Sequence, residues 1–169
     1  MKGKNQKLYF AVVVLITLTV IVSAVYFYWQ AAEIKKKEQV IKLYYYNFEL
    51  DRDKEGNLLC SRQGLVAVER KIPITINPIK DAINLLLKGD LTEEEIGQGI
   101  STEYPLAGFS LKNAVLNNGI LTLAFDDPNF KTSGGSCRVG ILWFQIEATA
   151  KQFEEVKEVR FYPEELFQP

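Results

Sequence analysis

Between Leu8 and Trp29 the chain reads LYFAVVVLITLTVIVSAVYFYW, 22 residues with no charge and no proline. As a helix rising about 1.5 Å per residue, this run reaches roughly 33 Å, enough to cross a hydrocarbon core of about 30 Å. Lys2, Lys4 and Lys7 precede it, and cations on that side favour keeping the amino end in the cytoplasm. Tyr9 at one end, and Tyr26, Tyr28 and Trp29 at the other, suit the two membrane interfaces. The expected layout is a cytoplasmic N-terminus (1–7), a transmembrane signal anchor (8–30), a tether (31–39) and an extracytoplasmic domain. Lys35, Lys36 and Lys37 blunt the charge asymmetry, and Glu33 and Glu38 offset part of that. Val22-Ser23-Ala24 offers a signal peptidase pattern. Cleavable signals have apolar regions of about 7 to 15 residues, however, and this one is longer, which favours an uncleaved anchor. No cysteine lies near the run, so a lipoprotein is excluded.

The residues after the run suffice for one compact domain. Without the three early lysines, 17 cations face 21 anions. Nucleic acid is therefore not an expected partner, because phosphate binding needs a basic patch. The chain has no histidine. Its absence removes Ser-His-Asp and Cys-His nucleophiles and most zinc sites. Cys60 and Cys137 are the only cysteines. In an oxidising extracytoplasmic space such a pair is expected to form a disulfide, the alternative being two independent thiols.

Val40–Tyr46 (VIKLYYY) and Leu65–Ile72 (LVAVERKI) read as strands, rich in β-branched and aromatic residues. Residues 48–63 between them read as a polar loop. Pro78 opens a helix through Leu87, with Ile79, Ile83, Leu86 and Leu87 at core-facing spacing and Gly89 as its stop. Thr92 and Glu95 have capping-box spacing. Ser110–Leu116 and Ile120–Phe125 read as strands joined at Asn117-Asn118-Gly119. Ser136–Phe153 reads as a second long helix with an apolar stripe of Val139, Trp143, Ile146, Ala150 and Phe153. Val156–Tyr162 is the last strand, followed by Pro163. The expected fold is α+β, a small mixed sheet with two helices packed on one face.

These segments together resemble the GerMN domain, a sporulation and spore germination module. The resemblance is carried by Val40-Ile41-Lys42-Leu43-Tyr44-Tyr45-Tyr46 and by the helix ending Leu85-Leu86-Leu87-Lys88-Gly89. Ile100-Ser101-Thr102-Glu103-Tyr104-Pro105, the hairpin around Asn117-Asn118-Gly119, and the closing Val156-Lys157-Glu158-Val159-Arg160-Phe161 add to it. It covers residues 40–163, leaving 164–169 as a C-terminal tail. It implies a fold like the ring-building modules of secretion systems, an envelope or sporulation role, and no enzymatic activity.

Each candidate site has a plainer structural alternative. Asp51-Arg52-Asp53-Lys54-Glu55-Gly56 copies the first half of a calcium loop, but Arg62 stands where the bidentate acid belongs. A solvated acidic turn explains it as well. Thr132-Ser133-Gly134-Gly135-Ser136 could cradle an anion at a helix start, or simply be a turn and cap. Asp126-Asp127 ends a strand, where glycan-cleaving carboxylates could sit, although Asp-Asp-Pro also makes a turn. Trp143 is expected in the core. Tyr44, Tyr45 and Tyr46 alternate across a strand, so one face should be partly exposed as a binding edge or a mere propensity effect.

The resulting expectation is a non-catalytic, membrane-anchored binding or assembly module without a cofactor or metal. Its partners would be cell-envelope proteins or peptidoglycan, with a homo-oligomer left open. The alternatives are a cell-wall glycan enzyme using paired carboxylates and a calcium-dependent adhesion module.

Overall fold

The computed structural model describes residues 13–29 and 38–168. The expected cytoplasmic N-terminus (1–7), both ends of the expected span (8–12 and 30) and most of the tether (31–37) lie outside them. Residues 13–29 form a helix, α1. Among the described residues no helix is long and apolar enough to cross a membrane. Every described side chain of α1 is exposed. Its Thr and Ser hydroxyls are satisfied within the helix: Thr17, Thr19 and Ser23 each donate to the carbonyl three residues back at 2.8 Å.

Contacts divide the chain into two compact units. The unit holding α1 also takes Gln39 and Ile72–Ile74. The other is the α+β domain. Its elements run β1 (Glu38–Asn47), β2 (Leu65–Pro73), α2 (Pro78–Lys88), α3 (Glu93–Gly97), β3 (Ile100–Ser101), β4 (Ser110–Asn117), β5 (Ile120–Asp126), α4 (Ser136–Lys151) and β6 (Glu158–Tyr162). The strands form two three-stranded sheets, β2-β1-β3 and β4-β5-β6. The expectation of one mixed sheet is corrected on this point. Only β4-β5-β6 is shown to be mixed, with β4 antiparallel and β6 parallel to β5.

The split has a local cause. β3, a two-residue strand missed in the sequence, pairs with β1 only at Tyr46 and Asn47. Farther along β1, side chains of α4 take the backbone groups instead. Tyr44 N–H donates to Thr149 Oγ1 at 3.0 Å, and Lys42 N–H donates to Gln152 Oε1 at 2.7 Å. Gln152 Nε2 returns a bond to Lys42 O at 2.6 Å. A buried backbone donor must find an acceptor, and here a helix supplies it where a strand would otherwise continue.

The helices begin and end as their sequences dictate. Asn77 caps α2, accepting the Lys80 amide, and Pro78 opens it. Gly89 closes α2 in the left-handed region at φ 68°. A Cβ there would lie 1.9 Å from the Tyr104 carbonyl oxygen, so no other residue fits. Thr92 and Glu95 complete their capping box on α3. Asn118 and Gly119, at φ 50° and 83°, make the two-residue bend between β4 and β5.

Ile79, Ile83, Leu86 and Leu87 are buried as their spacing requires, and α2 packs on α4 and β4. Each such side chain contributes about 1.5–3 kcal/mol by leaving water. Val139, Ile146 and Ala150 of the expected α4 stripe are buried, with Leu142 and the polar Gln145 and Thr149 beside them. Trp143 is 38 % exposed rather than core. α4 stops at Lys151, before Phe153. Within the expected tail (164–169), of which the described residues end at Gln168, two residues contribute to the core. Leu166 and Phe167 are buried, and the Phe167 ring meets Phe109, Phe125 and Phe161 at 5.9, 6.4 and 5.1 Å.

Candidate functional site

The long β1–β2 loop folds over one face of β1 and is fastened to α4. It opens with a single 3-10 turn, Phe48–Asp51, and closes with another, Arg62–Gly64. Tyr45 and Tyr46 point to opposite faces of β1, yet both are buried. Tyr44 is half-buried, so its strand face is partly exposed there as expected, while the loop covers Tyr46. The Tyr46 hydroxyl meets the Asp51 carboxylate and lies 3.0 Å from Ser61 O. Gly64 lies against the ring: a Cβ at Gly64 would come within 2.5 Å of it. Phe48 meets the same ring edge-on at 5.0 Å.

Asp51 is completely buried and organises this loop. Its carboxylate accepts the Ser61 amide at 2.8 Å, the Ser61 hydroxyl and the Tyr46 hydroxyl. Burial opposes its ionisation, but hydrogen bonds from Ser61 and Tyr46 outweigh that and hold its pKa below the ordinary carboxylate value. Asp53 is equally engaged. It accepts the amides of Glu55 and Asn57 at 3.0 and 2.7 Å and the Asn57 side chain at 2.9 Å. The two carboxylates put forward as calcium ligands thus fasten a turn. Among the described residues, no group of three or more Asp, Glu or Cys side chains is placed to hold a metal ion.

Two further links tie the loop to α4. Cys60 and Cys137 lie at disulfide distance, their Cα atoms 5.1 Å apart. Arg62 reaches Glu147 at 2.5 Å, and its guanidinium sits 4.2 Å from the Phe144 ring centroid. Elsewhere, Arg70 holds Glu95 through two bonds of 2.7 Å, joining β2 to α3.

The remaining candidates are also occupied by structural work. Asp127 accepts the amides of Lys131 and Thr132 and the Thr132 hydroxyl, each at 2.8 Å. Asp126 pairs with Lys112 at 2.8 Å. At residues 132–136 the α4 N-cap is Gly135, without a side-chain cap. Arg138 is directed to Glu103 at 2.6 Å and to the carbonyls of Ser133 and Lys131. Guanidinium and carbonyls therefore satisfy one another at that turn.

A family model described as sporulation and spore germination, Germane, matches residues 42–165. The chain belongs to this family. The Germane match starts within β1 and ends two residues past Pro163, so it takes in both sheets, α2 and α4. Among solved structures, the tandem GerMN domains of the sporulation protein GerM from Bacillus subtilis are similar, with a TM-score of 0.51 at 21% identity. That match covers 75% of this chain and 39% of the other. The first GerMN domain of the same protein matches with a TM-score of 0.45 at 20% identity, over 72% and 80%. What the tandem structure shares with this Germane-family chain is the fold. No curated protein is similar enough to match it.

One surface of the Germane domain was not visible in the sequence. Trp143 on α4 and Phe161 on β6 meet edge-on at 5.4 Å and, with Val159 and Leu166, line an open groove of about 240 Å³. Trp143 read as core because an aromatic on an apolar stripe usually is. The signal that could have moved it was Leu166, which turns back to complete the groove wall.

Proposed function

We propose that this domain is the extracytoplasmic part of a membrane-anchored envelope protein, where it binds or assembles with envelope proteins or peptidoglycan and catalyses nothing itself. The observation carrying this reading is α1. It is rich in apolar side chains, exposed along its described length, and has its Thr17, Thr19 and Ser23 hydroxyls bonded internally. A helix with no charged face, whose Thr and Ser hydroxyls bond its own carbonyls, suits lipid. The full apolar run extends beyond the described part of α1 on its N-terminal side. Cys60 and Cys137 at bonding distance agree with an oxidising compartment.

The non-catalytic half of the proposal is supported by how the acids are used. Asp51, Asp53 and Asp127 are surrounded by protein donors and stabilise turns. Without histidine, a nucleophile would also lack its usual base. A tethered module needs no high affinity, since anchoring raises the effective concentration of neighbours in the same envelope. Proximity labelling from the full-length protein in its own cells tests the proposal. Enrichment of envelope proteins is expected, and a cytoplasmic set would contradict it. Hydrolysis of purified peptidoglycan, lost on Asp126→Asn or Asp127→Asn, would favour the glycan-enzyme alternative.

A further inference from the structure

We infer that β6 is an assembly edge, along which two copies of this chain pair their β6 strands antiparallel about a twofold axis. The inference concerns the α+β domain alone and does not depend on where that domain lies in the cell. β6 is the outermost strand in the order β4-β5-β6. Its bonding to β5 begins with the Glu158 amide, which donates to Gly119 O at 3.1 Å. Successive backbone groups of a strand alternate in direction. Glu158, Arg160 and Tyr162 therefore turn theirs toward β5, and Val159 and Phe161 turn theirs outward. Among the described residues no hydrogen bond reaches these outward groups. The open groove beside Trp143 runs along the same edge. It is lined by Val159 and Phe161 from one face of the strand and by Arg160 from the other. Residues of both faces share a groove only where it lies beside the strand. Unpaired backbone groups next to such a groove suit the addition of another strand.

The other long edges are blunted. β4 is interrupted by a register shift between Leu111 and Asn113, and β2 carries Glu69, Arg70 and Lys71 in succession before ending at Pro73. β6 has neither a bulge nor a proline. Charge placement then names the occupant as a second β6. Arg160 Nε lies 2.6 Å from Glu158 Oε1, both side chains on the face of the strand turned away from Phe161. In an antiparallel pair centred on Val159, Val159 stands opposite its own copy, and Glu158 of each chain stands opposite Arg160 of the other. Two opposite-charge pairs result, related by the axis. The same register sets the outward backbone groups of Val159 against each other and those of Phe161 against Lys157, the positions that exchange hydrogen bonds in an antiparallel ladder. Centring the pair on Arg160 instead would bring the two guanidinium groups together. With the axis perpendicular to the sheet, Trp143 and Phe161 of both copies lie on one side, over a continuous sheet of twice three strands.

The test is the protein mass of the full chain in detergent micelles, measured by sedimentation over a range of concentrations. The parent is expected to dimerise. Glu158→Arg and Arg160→Glu each set like charges across the axis and should weaken the dimer roughly tenfold or more. Both side chains are more than half exposed, so neither variant loses buried contacts. An equimolar mixture of the two variants restores opposite charges at both pairs and should dimerise as the parent does, as should the exchanged chain Glu158→Arg/Arg160→Glu. Hydrogen exchange reads the edge itself: in the parent, the amides of Val159 and Phe161 should be better protected at high than at low protein concentration. A parent that stays monomeric throughout overturns the inference. A dimer that both single variants retain overturns it as well, because its interface lies elsewhere. Failure of the mixture to recover, with both variants folded by circular dichroism, overturns the paired register.

Discussion

Gln152, which caps the C-terminus of α4, holds both backbone groups of Lys42 on β1, accepting its N–H at 2.7 Å and donating to its carbonyl at 2.6 Å. The primary amide thus imitates a strand neighbour. One helical turn earlier, Thr149 does the same for the Tyr44 amide. These contacts end the first sheet and seat α4 on it.

Replacing these groups should therefore destabilise the domain unequally. Thr149→Val keeps the shape but leaves the Tyr44 amide without its acceptor, at an expected cost of about 1–3 kcal/mol. Gln152→Ala, at a wetter position, should cost about 1 kcal/mol because water replaces the lost bonds. Urea denaturation of each variant measures this. Equal stability of Thr149→Val and the parent would show that the contact is incidental.

Gly64→Ala should be among the more damaging single-methyl additions. The new Cβ would press on the Tyr46 ring, which is held by Asp51 at its hydroxyl and by Phe48 at its edge. Overpacking of this kind costs about 1–3 kcal/mol. A paired Gly64→Ala/Tyr46→Leu variant should recover part of the loss. A melting temperature unmoved by Gly64→Ala would mean the loop yields freely.

The balance of what was readable in the sequence follows from range. Pro78, Gly89, Thr92 with Glu95, and Asn118-Gly119 act on their own neighbours, and each end or turn appears where its residue stands. The split of the sheet depends on Thr149 and Gln152 meeting residues more than a hundred positions away, and no local pattern encodes that. The same holds for Asp51. Its oxygens looked like a ligand set until Ser61 and the Tyr46 hydroxyl were brought onto them. Trp143 was misplaced because helical periodicity does not tell the edge of a buried stripe from its centre, and Leu142 beside it is the buried residue.

Acid should weaken the fold in a defined window. Burial raises and hydrogen bonds from Ser61 and Tyr46 lower the Asp51 pKa, with a net lowering. Glu95 is lowered chiefly by Arg70. At Glu147 burial opposes ionisation, but Arg62 and Lys151 outweigh it. Each stays ionised in the folded state to lower pH than in the unfolded chain. Their contribution is therefore present above the unfolded value of about 4 and disappears as pH falls through the lower folded values. Thermal melts should be level from neutral pH to about 5 and fall steeply below about 4. Asp51→Asn should lower neutral stability and flatten the acid limb. A parent protein equally stable at about pH 3 and pH 7 would contradict this.

Thiol titration of the unfolded, unreduced protein should find no free thiol, because Cys60 and Cys137 stand at bonding distance. The closed loop spans 77 positions, for which chain entropy gives about 4 kcal/mol. Reduction should lower the melting temperature accordingly. Two free thiols would refute the bond, and a bond between two chains would make the pair a dimer contact.

Protease shaving of intact protoplasts expressing the full chain tests the central claim most directly. The account predicts that the domain is digested from outside, while a fragment containing residues 8–30 remains in the membrane and resists carbonate extraction. A domain protected until the membrane is permeabilised would contradict it.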